Sequence, residues 1–358
     1  MYEVDPDITK ASTLPGAFYH DREAFERSKD QIFAKSWQFI GDIDGAKVPG
    51  QVYPFDLLPG FLDEPLLLTR DTDDKLHCIT NVCTHRGMKV CEGAGNERFL
   101  RCRYHGRRFG LDGSFKSMPE FEDACNFPSA ADNLTPVAFS QWGNLLFASL
   151  NPAASFETMF APIIERLGWL PLHEFKLDAS HSRDYLVRAH WGLYVDNYLE
   201  GFHIPFVHTA LNDLLEYESY QTIPYEWCSL QLAEAKSDEG IFDLPSTSPD
   251  FGKRISAYYY WVFPNLMLNF YPWGLSINVI RPLSIDTTKV SFIRYMWDES
   301  KLGIGAGADI DRVEREDEQV VELVQRGLRS RFYDRGRFSP KREIGTHHFH
   351  RMLAEKLS

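Results

Sequence analysis

Four side chains in two short stretches could together hold a redox metal. Cys83-Thr84-His85 and Cys102-Arg103-Tyr104-His105 each pair one cysteine with one histidine, giving C-x-H-x16-C-x2-H. Each half lies between strand-like runs, which predicts two hairpin tips. A two-iron cluster with two thiolates on one iron and two imidazoles on the other needs two such loops facing each other. Exchanging two thiolates for neutral imidazoles removes negative charge and lifts the potential to roughly −150 to +300 mV. A Cys2His2 zinc site would use the same atoms, but zinc sites usually pair Cys with Cys and His with His at short spacing. Chance clustering of buried thiols and surface imidazoles is the plainest alternative.

A second group lies further on, in Asp196-Asn197-Tyr198-Leu199-Glu200-Gly201-Phe202-His203-Ile204-Pro205-Phe206-Val207-His208. His203 and His208 are five apart, whereas one face of a regular α-helix wants three or four. Pro205 lies between them and removes a helical N–H, so a kink or bulge is expected to turn His208 back toward His203. Two histidines and one carboxylate on one face of a metal form the facial triad of non-haem Fe(II) oxygenases. The carboxylate must come from elsewhere in the chain. Arg315-Glu316-Asp317-Glu318-Gln319 supplies candidates, although acids in such a run are ordinarily a solvated helix face.

The rest of the chain must position these groups. Its 358 residues suggest two domains. With 44% hydrophobic and 25% charged residues it reads as globular. Lys and Arg number 38 against 51 Asp and Glu, a net charge of −13, which speaks against nucleic acid or an anionic membrane as partner. The longest strongly apolar stretch, Trp142 to Leu150, is too short to span a bilayer, and the first residues show no signal peptide. A cytoplasmic protein is expected.

Residues 1–37 read as an N-terminal helical segment with Asp21 as N-cap, expected to pack on the catalytic domain. Residues 38–155 carry short apolar runs broken by Gly, Pro, Asn and Asp, the pattern of a small all-β domain. In residues 156–358 a short helix, Phe156 to Leu167, precedes a helical region at 190–217. Four strands follow, Ser256–Val262, Leu266–Tyr271, Ser276–Arg281 and Lys289–Trp297, expected as an antiparallel meander. Asp309 to Leu328 closes the pattern as a helix.

The segment around Cys83, His85, Cys102 and His105, with Arg86-Gly87 and Gly106 flanking, resembles a Rieske domain. Met88 and Tyr104 stand where respiratory Rieske proteins carry a disulfide, so the match is to the ferredoxin and oxygenase branch. Arg107 stands where oxygenases usually have Trp. A Rieske motif followed by carboxylate-x2-His-x4-His and a late Asp resembles the catalytic subunit of Rieske non-haem iron oxygenases, over essentially the whole chain. The resemblance implies an α+β fold: a small all-β Rieske [2Fe–2S] domain and a helix-grip catalytic domain, an antiparallel sheet flanked by helices. It implies cluster ligands Cys83, His85, Cys102 and His105, and a mononuclear Fe(II) on His203, His208 and Asp317. It also gives Glu200 the place of the bridging carboxylate that links subunits, with Asn197 in support.

The implied partners are a flavin/iron-sulfur reductase fed by NAD(P)H, O₂ and a small organic substrate, in a homotrimer. Asn197-Tyr198-Leu199-Glu200, Gln325-Arg326-Gly327-Leu328 and His347-His348-Phe349-His350 look most like the branch acting on choline, glycine betaine and carnitine. An aromatic-walled pocket suits a quaternary ammonium by cation–π contact, but it suits an aromatic compound by stacking too. The competing classes are an electron carrier fused to a binding module and a zinc hydrolase. His181, His190 and the His347–His350 run read as structural, and Cys78, Cys91, Cys125 and Cys228 as small buried hydrophobes. Alternate residues of Tyr258–Trp261 and Phe270–Trp273 are expected to face inward, some of them onto a pocket.

Overall fold

A computed structural model of the chain describes residues 2–307 and 310–358. Ala34–Ala153 forms one compact unit, and the segments on either side of it together form another.

The smaller unit is built from antiparallel sheets. One runs in the order Leu76–Thr80, Glu64–Arg70, Gln51–Leu57, Gly95–Asn96, and a second pairs Leu145–Ser149 with Gln38–Asp42 and Ala138–Trp142. A third small sheet, Leu100–Arg101, Arg108–Phe109 and Phe115–Ser117, carries the second Cys-His stretch. Strand Glu64–Arg70 shows why its sequence is continuously apolar. Leu67 enters the core with Val52, Ile79, Cys83, Cys102 and Phe109, while Leu66 and Leu68 enter a second core with Cys78 and Leu146. Successive strand side chains alternate faces, and here both faces are covered.

The larger unit centres on an eight-stranded antiparallel sheet. The meander strands are Ile255–Val262, Leu266–Tyr271, Gly274–Ser284 and Thr287–Met296, with Cys228–Glu234 and Gln221–Pro224 extending one side. Lys176–Leu177 and Arg183–Val187 both pair with Thr287–Met296 on the other. Register aligns Gln231, Tyr259, Asn269 and Ser276 in one cross-strand row. Tyr271 and Asn278 lie two residues further along their strands, and Asn278 pairs with Phe292. Period-two alternation therefore puts all seven side chains on one face.

Helices cover the sheet. They are α1 (Arg22–Gln31), α2 (Phe156–Leu167), α3 (Trp191–Tyr198), α4 (Ile204–Val207), α5 (Thr209–Leu214), α6 (Ile310–Gly327) and α7 (Ile344–Leu357). Asp21 caps α1, accepting from the Ala24 N–H at 3.1 Å, and Asp309, expected to begin the last long acidic helix, lies outside the described residues. Phe33 meets Trp191 edge-on at 5.0 Å, and Phe18, Tyr19 and Phe25 surround His190. α3 touches strand Gly274–Ser284, α6 and α7. Among the described residues no helix is long and apolar enough to cross a membrane.

Two expectations need correction. Cys78 and Cys228 are buried, but Cys91 is half-buried and Cys125 exposed. Cys125 sits in a turn-rich stretch beside Glu122 and Asp123, with no apolar run to carry it inward. Pro205 does not kink a continuous helix either. It occupies the first turn of the separate α4, where its missing N–H costs nothing, and the chain breaks at His208, with φ −110° and ψ 66°.

Candidate functional site

The two Cys-His stretches form matching loops, 83–88 and 102–107. Cys83 N–H donates to Met88 O at 2.8 Å and Gly87 N–H to Cys83 O at 3.0 Å. In the second loop Cys102 N–H donates to Arg107 O at 2.9 Å and Gly106 N–H to Cys102 O at 3.0 Å. Gly87 and Gly106 hold φ of +73° and +77°, a left-handed conformation that a Cβ would strain. The two thiols are buried and face each other. The His85 and His105 rings lie 4.8 Å apart, His85 half-buried and His105 exposed.

Burial raises the Cys83 thiol above its usual value, and the facing Cys102 adds to the rise while Arg107 opposes it. Two buried thiolates side by side would repel, and a cationic iron cancels that repulsion. Burial and the neighbouring His105 keep His85 below its ordinary value, which favours the neutral, ligating imidazole. This donor set suits a cluster with its sulfur-bound iron inside and its imidazole-bound iron at the surface.

Asp132, which the sequence reading passed over, ties both loops together. Its carbonyl accepts from Thr84 Oγ1 at 2.8 Å and from Arg107 Nη2 at 3.1 Å, and its carboxylate accepts from Arg107 Nη2 at 2.6 Å. The other carboxylate oxygen accepts from the Ser129 N–H at 2.7 Å. The Ser129-x-x-Asp132 capping spacing is the signal that marks it. The Arg107 guanidinium is buried over the rings of Phe109, Phe115 and Phe127, 5.0 to 5.7 Å from their centroids.

In the larger unit, His203, His208 and Asp317 offer ligand atoms within 4.8 Å of one another. The Nε2 atoms of His208 and His203 lie 2.9 and 3.5 Å from Asp317 Oδ1. The opposite ring nitrogens are held by carboxylates: His203 Nδ1 by Glu200 Oε1 at 2.6 Å and His208 Nδ1 by Glu316 Oε2 at 2.7 Å. With Nδ1–H donating, both rings are fixed in orientation with Nε2 toward Asp317, and a metal there would replace the proton shared by His208 Nε2 and Asp317 Oδ1. Glu200 Oε2 also accepts from the Phe202 and His203 N–H groups at the start of α4. Burial disfavours charge on His208, yet Asp317 and Glu316 outweigh it and its pKa rises. Such a negative field suits a divalent cation.

These groups border a cavity that gives the centre of a water molecule about 110 Å³. The sheet supplies one wall, where the polar groups satisfy each other. Tyr198 Oη donates to Asn269 Oδ1 at 2.8 Å, Gln231 Nε2 to Tyr198 O at 2.6 Å and Ser276 Oγ to Asn278 Oδ1 at 3.1 Å. Tyr220, Tyr259, Tyr271 and Phe292 add aromatic surface, and Asn197 and Glu200 lie on the same lining. Tyr259 and Tyr271 are thus the pocket-facing members of the two aromatic runs, while Tyr258, Tyr260 and Trp261 are buried elsewhere. Sequence reasoning missed Glu314 as a lining group. It is 2% exposed and accepts from Tyr194 Oη, and burial raises its carboxyl well above the ordinary value although Tyr194 opposes this.

His350, His347, His190 and His181 make structural contacts. His350 Nε2 meets Asp196 Oδ1 at 2.9 Å and its Nδ1 accepts from the Leu14 N–H at 3.0 Å, while His347 Nε2 meets Asp5 O at 2.8 Å. His190 caps α3, and His181 pairs with Asp178 at the surface.

Comparison with known proteins covers both units. Residues 37–128 match the Rieske [2Fe-2S] domain, and residues 169–358 match the ring hydroxylating alpha subunit (catalytic domain). The chain is 31% identical to chloroplastic choline monooxygenase of Arabidopsis thaliana, over 99% of this chain and 86% of that protein. It is also 31% identical to the carnitine monooxygenase oxygenase subunit of Escherichia coli K12, over 97% and 94%. Among solved structures, the quaternary ammonium Rieske monooxygenase CntA in complex with L-carnitine superposes with TM-score 0.75 at 24% identity, over 99% and 97% of the two chains. Naphthalene 1,2-dioxygenase from Rhodococcus sp. gives 0.73 at 18%, over 96% and 94%.

Proposed function

The chain belongs to the Rieske family of ring-hydroxylating oxygenase alpha subunits, and on that premise we propose that it oxygenates a small quaternary ammonium compound. Members work as the oxygenase component of a multicomponent system supplied with electrons by a reductase. When bound, the cluster relays single electrons and the mononuclear iron supplies the chemistry that places oxygen from O₂ in the substrate.

Cys83, Cys102, His85 and His105 would hold the cluster, and His203, His208 and Asp317 the iron. Glu200 and Glu316 keep the two imidazoles in the tautomer that presents Nε2. Tyr220, Tyr259, Tyr271 and Phe292 receive the substrate and exclude water, and Asn197 positions it beside the iron ligands. In a head-to-tail C3 homotrimer Glu200 would accept a second hydrogen bond from a neighbour's His105, joining the two centres across the interface. The enzyme works in the cytoplasm, where nicotinamide-derived electrons are at hand.

The observation that carries the reading is the meeting of the two-histidine, one-carboxylate set with an aromatic-lined cavity. Relatives acting on choline and carnitine support the substrate class. The test is single-turnover oxygenation by the reduced enzyme with choline, glycine betaine, carnitine and a panel of aromatic acids. Turnover of an aromatic acid alone rejects the quaternary ammonium. A preparation that binds about two irons per chain, rather than about three, and oxygenates nothing is an electron carrier.

A further inference from the structure

Glu314 stands out among the groups on the cavity wall. Its side chain is 2% exposed, and Tyr194 Oη donates to Oε2. Oε1 is the one buried side-chain polar atom on the lining that has no hydrogen-bond partner among the described residues. A buried carboxylate is costly unless a positive charge or donors compensate it. The protein supplies no such charge, since no lysine or arginine lines the cavity among the described residues.

The lining carries three carboxylates, Glu200, Glu314 and Asp317. A divalent iron at His203, His208 and Asp317 offsets two of those charges, and Glu200 is engaged with His203. Glu314 is the remaining carboxyl: burial favours its protonated form while no cation is near, and a cation seated beside it would favour the ionised one. It faces the same space as the Tyr198, Tyr220, Tyr259 and Tyr271 rings, whose faces attract cations.

We propose that Glu314 is the counter-charge of the substrate cation, and that the cavity therefore selects an organic cation without an anionic group over a zwitterion. The inference rests on the quaternary ammonium reading and narrows it. A substrate carboxylate entering this cavity meets acids, ring faces and neutral amide and hydroxyl groups, and no lysine or arginine to pair with among the described residues. A hydroxyl meets neutral polar side chains on the lining, among them Asn197, Asn269 and Asn278. The class favoured is the ammonium alcohol, and the class disfavoured is the betaine.

The test is calorimetric binding to the iron-loaded enzyme without O₂, using choline, its neutral isostere 3,3-dimethylbutan-1-ol, and glycine betaine. In the unaltered protein choline should bind at least about tenfold more tightly than either of the others. Glu314→Gln, with iron content confirmed, should bring choline and the isostere to within about threefold of each other. Tyr194→Phe, which keeps the carboxylate, should preserve the preference. Glycine betaine binding as tightly as choline to the unaltered protein overturns the proposal, and that comparison stands even if Glu314→Gln does not fold. An unchanged preference in folded, iron-loaded Glu314→Gln overturns it too, while leaving the quaternary ammonium reading intact. Tight binding of aromatic acids with no binding of any ammonium compound rejects that reading itself.

Discussion

Arg107 is a buried guanidinium in the Rieske unit, and replacing it with Met tests whether the Asp132 clamp holds the two cluster loops together. Met keeps much of the length and apolar volume but removes the charge and both hydrogen bonds to Asp132. Breaking a fully buried ion pair costs about 3–5 kcal/mol. Asp132 is 18% exposed and keeps its Ser129 donors, so water and the cap recover part of that. The sulfur of Met replaces some of the contact with Phe109, Phe115 and Phe127, worth roughly 0.3–1.5 kcal/mol. The expected net loss is about 2–3 kcal/mol, drawn from these ranges.

The assay is bleaching of the cluster's visible absorbance against urea concentration. Arg107→Lys should fall between the two proteins, because a lysine keeps the charge but cannot stack as a planar group. The acid dependence has a definite sign. The Ser129 N–H and then Arg107 hold the Asp132 carboxyl below its ordinary value of 3.8. A carboxyl depressed in the folded state binds fewer protons there than in the unfolded chain, so its contribution is present above that value and fades as pH falls below it. The gap between the unaltered protein and Arg107→Met should therefore narrow in acid. A bleaching midpoint unchanged by Arg107→Met at neutral pH would refute the clamp.

Replacing His85 or His105 with Ala should abolish the low average-g EPR signal of a His-ligated [2Fe–2S] centre, and survival of the signal in both variants rejects the ligand assignment. Asp317→Ala should eliminate turnover and leave the Rieske spectrum intact; retained mononuclear iron would transfer the ligand role to Glu316 or Glu314. Glu316→Gln should keep activity but weaken iron binding by about 10–100-fold, read as loss of iron on dialysis against chelator. Glu200→Gln, with iron supplied so that both centres are loaded, should slow Rieske oxidation by O₂ and substrate in rapid-quench experiments, and normal transfer would defeat the bridge.

Much of the fold can be read from period alone. The meander was readable because Tyr258 to Trp261 and Leu266 to Tyr271 are β-rich runs punctuated by Pro264-Asn265 and Pro272, and both runs are strands of the sheet. The cross-strand row is different. Whether Tyr259 or Tyr260 faces the cavity depends on register with Gln231 and Asn269, and a slip of one residue would exchange every side chain on the wall. Sequence gives each strand's alternation but not which phase is inward when both faces are aromatic.

The site divides along the same physical line. Cys83, His85, Cys102 and His105 stand out as a set because loop geometry gathers these donors into two short stretches, each with a glycine at a fixed offset. The acids of α6 do not stand out in this way: Asp317 is reached through the family resemblance, and Glu314 does not read as part of the wall, since the inward residues there are polar. Glu314 and Asp317 border the cavity, Val321 is buried beyond them, and Gln325, also buried, accepts from the His190 N–H at 2.8 Å. That stride of three and four residues is helical, but half its members are charged, so a search for an apolar stripe weights Val324, which is 44% exposed, above Glu314, which is 2% exposed. On the outer side Arg312 pairs with Glu316 and Arg315 with Asp311, the ordinary pattern of a solvated face. Glu316 belongs to both worlds, reaching Arg312 with one oxygen and His208 with the other. A helix breaks the local rule of apolar residues inside where a function makes burying charge worthwhile, and in α6 the break falls where the proposed iron ligand and the proposed counter-charge of the substrate share one helix face.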